Sequence, residues 1–143
     1  MRDLASSINV KSAIVPVAAR TDNTAIVSTI LDTFGYGSAV LALTIGTNTD
    51  TNATFPVLLE ESDDSGMSGA TAVADKDMVG TELLAGFTAA DDDTKSRKLG
   101  YIGNKRYIRA TITPAGNDSG NIFLAGVWVQ GHPASAPTAN PPA

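Results

Sequence analysis

The chain has 143 residues, ten of them basic and fifteen acidic, for a net charge of −5. It contains no cysteine and one histidine, which excludes disulfides and thiolate metal sites and leaves His132 as the one imidazole for acid–base chemistry. The mild acidity argues against general nucleic-acid binding. No apolar run approaches the ~18 residues of a membrane helix. The start, Met1-Arg2-Asp3-Leu4, has no apolar leader core, so synthesis in a cytoplasm, with use there or in a particle assembled there, is the expectation.

The length fits one domain able to bury roughly two-thirds of its unfolded surface. Residues 1–11 read as an N-terminal arm, 12–131 as the folded domain and 132–143 as a Pro/Ala-rich tail. Residues 12–19 form a first β-like run that Pro16 demotes to an edge or a bulge. A second run spans 23–31, and the two glycines in 32–37 mark a turn. From Ser38 to Gly46, Leu41, Leu43 and Ile45 alternate with Val40, Ala42 and Thr44, the period of a strand. Residues 54–60 alternate again with Phe55, Val57 and Leu59 inward, interrupted by Pro56.

Residues 61–77, rich in Asp, Ser, Gly and Ala, read as a long loop, and 89–97 as a second, charged loop. Between them, 79–88 fits a strand with Leu83, Ala85 and Phe87 on one face. A short helix over Glu82-Leu83-Leu84-Ala85 fits as well. Gly103-Asn104 between two β-like runs predicts a type II′ hairpin. Along its second run Ile108, Ala110 and Ile112 share a face. Residues 121–130 are apolar on both faces, the pattern of a central or covered strand. Short strands at this spacing predict an all-β, single-domain β-sandwich, jelly-roll-like, with extended N- and C-terminal arms. The tail is expected to be polyproline-like.

Catalytic constellations are missing from the pattern. His132 sits between Gly131 and Pro133, a turn position, and no G-x-S-x-G elbow occurs. The acidic clusters Asp63-Asp64 and Asp91-Asp92-Asp93 lack the Ca²⁺-loop spacing and read as solvated loops. Gly100 to Lys105 lacks the phosphate-loop spacing. The expectation is a protein with no enzymatic activity, cofactor, metal or small-molecule substrate.

Charge placement says more. Six of the ten basic residues fall between Lys95 and Arg109. Arg97, Lys98, Lys105, Arg106 and Arg109, with Tyr101 and Tyr107, make a candidate edge for docking a partner. An ordinary solvated hairpin with paired tyrosines is the equal alternative. His132, Pro133, Pro137, Pro141 and Pro142 complete the candidate interface as an arm that could reach a neighbour.

Three stretches resemble a known family: DTFGYGSAVLALTIG (32–46), GYIGNKRYIRATITP (100–114) and VWVQGHP (127–133). They are similar to the small head proteins of tailed bacteriophages, the capsid decoration or cement proteins. The resemblance implies a sandwich subunit with no catalytic residues. It implies a homotrimer that clamps adjacent subunits of the major capsid protein on the outer surface of the virion, after synthesis in the host bacterial cytoplasm. A head–tail connector or tail protein is one alternative, and a carbohydrate-binding β-sandwich module with exposed aromatic platforms is another.

Overall fold

The computed structural model describes residues 3–91 and 95–142. Its strands are β1 (Ile8–Ile14), β2 (Ile26–Val27), β3 (Leu31–Asp32), β4 (Tyr36–Asn48), β5 (Thr54–Phe55), β6 (Val57–Ser62), β7 (Thr71–Ala72), β8 (Met78–Val79), β9 (Phe87–Thr88), β10 (Lys95–Tyr101), β11 (Tyr107–Ile112) and β12 (Ile122–Pro133), with one short helix, α1 (Glu82–Ala85), before β9. All strand pairings are antiparallel. A five-stranded sheet runs β1-β12-β4-β10-β8, and a second sheet runs β2-β11-β6-β7 with β3 also on β11. The pair β5-β9 closes one end. The result is the predicted all-β sandwich.

Alternation builds the core. Leu41, Leu43 and Ile45 from β4, Leu124 and Trp128 from β12, and Leu99 from β10 point inward from the five-stranded sheet. Val57 and Leu59 from β6, Ile108, Ala110 and Ile112 from β11, and Leu31 from β3 meet them from the other side. Strand β12 is central, between β1 and β4, as its two apolar faces predict. Phe55 stacks on Phe87 at 4.6 Å between centroids and plugs the β5-β9 end. Trp128 reaches across the layers, its Nε1 donating to the Thr29 carbonyl at 3.1 Å.

Several boundaries differ from the sequence reading. Strand β1 begins at Ile8, within the stretch read as an arm, and ends before Pro16. The 23–31 run splits into β2 and β3 because Ser28 inserts itself into the ladder. Its hydroxyl accepts from Ala110 N at 2.9 Å and donates to Thr29 O at 2.8 Å. In 79–88 the helical alternative holds for Glu82–Ala85. Thr81 caps it by accepting from Leu84 N, and Leu83 ends up 88% exposed rather than inward.

The Gly103-Asn104 hairpin does not form. Strand β10 ends in the five-stranded sheet and β11 begins in the other, so the connection crosses between layers. The reason lies in Tyr101, which turns into the core. Its hydroxyl donates to Glu61 Oε2 at 2.6 Å and accepts from Lys105 N at 2.9 Å. The chain passes so close over the ring that a Cβ on Gly103 would lie 2.5 Å from that hydroxyl. Glycine serves close approach here, not a turn conformation.

Gly120 is constrained in the same way, since a Cβ there would lie 2.3 Å from Asp50 N. Gly120→Ala must push the 114–120 turn off Asp50 and break the bonds from Ser119 N and Oγ to Asp50 Oδ2. The expected loss is about 1–3 kcal/mol, the usual cost of overpacking. Thermal unfolding of the variant against wild type measures it.

The tail also departs from expectation. Beyond β12 it does not run out as a polyproline-like arm but turns back along its own N-terminal segment. Ala134 N donates to Gly35 O at 2.8 Å, Thr138 N to Ser6 O at 3.0 Å, and Thr138 Oγ1 to Ile8 O at 2.6 Å. Proline lacks the N–H that a ladder needs, so the tail is tied by Thr138 and Ala134 instead.

Candidate interaction surface

The outer face of the five-stranded sheet follows from the same period of two. Phe123, Ala125, Val127 and Val129 of β12 and Val40, Ala42 and Thr44 of β4 point away from the core. The registers pair Val127 with Ala42, Val129 with Val40 and Ala125 with Thr44. Strand β1 adds Val10 beside Val129, and β8 adds Val79 beside Gly100. Phe123 is 48% exposed and Val127 37%. Toward β8 the face sinks into a cleft of about 480 Å³ lined by Val40, Val79, Leu84, Lys98, Gly100 and Ile102. Lys98 is the one formal charge that the registers place on this face, and it has no ion-pair partner among the described residues.

The basic edge has a different character. Arg97 pairs with Asp91 at 2.7 Å, Arg109 with Glu60 at 2.9 Å, and Lys105 with Asp63. Arg106 grips Asp32 with two bonds, Nε at 2.9 Å and Nη2 at 2.8 Å. Its guanidinium lies 4.8 Å from the Phe34 centroid and 5.2 Å from that of Tyr107. Four of the five candidate cations, Arg97, Lys105, Arg106 and Arg109, are thus paired within the chain, and Lys98 is not. Tyr101 is buried in the core, Tyr107 is half-buried, and only Lys98 of the group belongs to the apolar face.

His132 adopts a left-handed backbone, φ 52°, and its Nδ1 lies 2.9 Å from Ser38 Oγ at the end of the β12–β4 ladder. Pro133 pairs with Tyr36. Pro137, Pro141 and Pro142 lie on the returning tail. Asp92 and Asp93 fall outside the described residues. Three carboxyls, those of Asp32, Asp50 and Asp91, are held in the charged form by their partners. Arg106 lowers Asp32 below the usual carboxylate range. The Asn52 N–H, then Ser119 and Ala53, lower Asp50. The Thr88 N–H and then Arg97 lower Asp91.

These shifts fix the sign of an acid response. A carboxyl depressed in the folded chain binds its proton more weakly there than in the unfolded chain. Its stabilisation is full above the unfolded value near pH 4 and is lost as pH falls through the folded value. Stability is therefore expected to be flat from neutral pH down to about pH 4 and to fall below it. Chemical denaturation at stepped pH measures this, and a midpoint that rises between pH 4 and pH 3 would contradict it. In Asp50→Asn the fall should be shallower.

The sequence pattern pointed to the 95–109 stretch and the tail rather than to the sheet face. The signal for the face was present in 121–130, whose second apolar side is this surface.

No family model and no curated protein matches the sequence. Among solved structures, the PBSX exported protein XepA is similar with a TM-score of 0.51 at 13% identity, over 94% of this chain and 40% of that one. The chain thus spans about two-fifths of the XepA chain. The xylan-binding module CBM15 aligns with a TM-score of 0.41 at 10% identity, over 94% of this chain and 96% of the module. The CBM22-1 xylan-binding domain of Paenibacillus barcinonensis Xyn10C aligns with a TM-score of 0.39 at 12% identity, over 88% and 83%. At such identity the XepA likeness is one of fold: this chain is an antiparallel, jelly-roll-like β-sandwich.

Proposed function

We propose that the chain is a structural virion protein that decorates the head of a tailed phage and fastens adjacent major capsid subunits, working as a homotrimer. The outer face of the five-stranded sheet carries this reading. It is largely apolar, with Phe123 and Val127 exposed, and the registers place no acid on it in a chain of net charge −5. Such a face can meet another protein without burying an unpaired carboxylate. Each Å² of apolar surface removed from water contributes about 25 cal/mol. Threefold linkage multiplies modest contacts, because the second and third sites bind at high effective concentration.

The resemblance to head proteins supports the same assignment. Two of its stretches, 32–46 and 127–133, supply most of β4 and half of β12, the paired strands at the centre of the face. The test is stoichiometry in purified particles by quantitative mass spectrometry. Copies in a fixed ratio to the major capsid protein, as a shell lattice demands, support decoration. A single ring's worth of copies, as in a connector, or absence from the head, would overturn it.

A further inference from the structure

Where β1 and β12 lie over β3, two buried amide side chains face each other. Asn9 and Gln130 are register partners on β1 and β12, and both are more than nine-tenths buried. Asn9 Nδ2 donates to Gln130 Oε1 at 2.9 Å, and Gln130 Nε2 donates to the Asp32 carbonyl at 2.8 Å. Each amide nitrogen carries two hydrogens and each amide oxygen two lone pairs. This relay uses one hydrogen of each nitrogen, leaving a donor on both residues and Asn9 Oδ1 as a spare acceptor.

Those atoms border a cleft of about 190 Å³ lined also by Lys11, Asp32, Phe34 and Tyr36. Phe34 is 75% exposed on its turn and held by Arg106 rather than by core packing. The ring is thereby presented to solvent at the rim of the cleft, in a fixed position over the guanidinium. The electrostatics are one-sided. Asp32 is already neutralised by Arg106, whereas Lys11 has no ion-pair partner among the described residues. Lys11 also acts on Asp32 through its charge, so the cleft and its rim hold two cations, Lys11 and Arg106, for the one carboxylate of Asp32.

We infer that this cleft binds one ring of an acidic saccharide of the hexuronate type. The apolar C–H face of the sugar lies on Phe34 and Tyr36. The free amide donors and Asn9 Oδ1 take ring hydroxyls, which both donate and accept. The carboxylate meets Lys11. None of these side chains lies on the outer face of the five-stranded sheet, so the site does not depend on the shell-binding reading.

The experiment is an NMR titration of the full chain with methyl β-D-glucuronide, with methyl β-D-glucopyranoside as the neutral arm. Saturable shifts of the Asn9 and Gln130 side-chain amides are expected with the glucuronide, and binding about tenfold or more weaker with the glucoside. Lys11→Ala should remove that preference, and Phe34→Ala should weaken the glucuronide about tenfold. Both side chains are exposed, so unchanged melting temperatures will show that the variants fold. Absence of shifts at the cleft, equal binding of the two glycosides, or wild-type binding by both variants would overturn the inference.

Discussion

Trp128→Ala is expected to lower the unfolding free energy by about 3–5 kcal/mol, a large part of the ~5–15 kcal/mol that holds a domain together. The indole is 1% exposed at the centre of β12, between the two sheets. Its removal opens a cavity that neighbours fixed by the ladders, among them its register partner Leu41, cannot collapse to fill. It also strips the Thr29 carbonyl of its donor just where Ser28 breaks the β2–β3 run. Trp128→Phe keeps one aromatic ring in place and loses the donor and the rest of the indole, so its loss should be markedly smaller than that of Trp128→Ala. Urea unfolding will show a lower midpoint at unchanged slope for both. Equal losses would mean that the hydrogen bond, not the packing, dominates.

The second large effect concerns attachment rather than folding. Phe123→Asp is expected to abolish binding to phage heads while leaving the melting temperature within a few degrees of wild type. The side chain is 48% exposed on the outer sheet face, so the free subunit loses little core. In the bound state the carboxylate would be buried against a partner with no counter-charge, since Lys98 lies two strands away on β10. An uncompensated buried charge costs about 3–5 kcal/mol, and in a trimer the penalty recurs at each site. Val127→Asp should act alike. Sedimentation of heads lacking the chain with added purified subunit measures it. Arg106→Glu, which breaks the pair with Asp32, should affect attachment far less, because that charge is already satisfied within the chain.

Where period-two alternation was clean, the sequence reading and the structure agree: β4, β6, β11 and β12 fall where Leu41–Leu43–Ile45, Val57–Leu59, Ile108–Ala110–Ile112 and the two-sided 121–130 run put them. Disagreement arises where non-local partners decide. Gly103-Asn104 has turn chemistry, but a turn residue does not say whether the chain returns to the same sheet. The inward ring of Tyr101 and its bond to Glu61, forty positions away, make it cross instead. Ser28 ends a strand through Ala110, and Thr138 folds the tail through Ser6 and Ile8. The pairing of Lys105, Arg106 and Arg109 was hidden because their acids lie 42 to 74 positions away along the chain, whereas Asp91 lies six from Arg97. The amide relay of Asn9 and Gln130 was equally hidden, with 121 positions between its members.

The most direct test of the decoration account is a cryo-electron microscopy reconstruction of the particle that incorporates this chain. The account predicts sandwich-shaped density in threefold clusters on the outside of the shell, with Phe123, Val127 and Val129 buried against the major capsid protein. Density with this face turned to solvent, or a head shell from which the chain is missing, would contradict it.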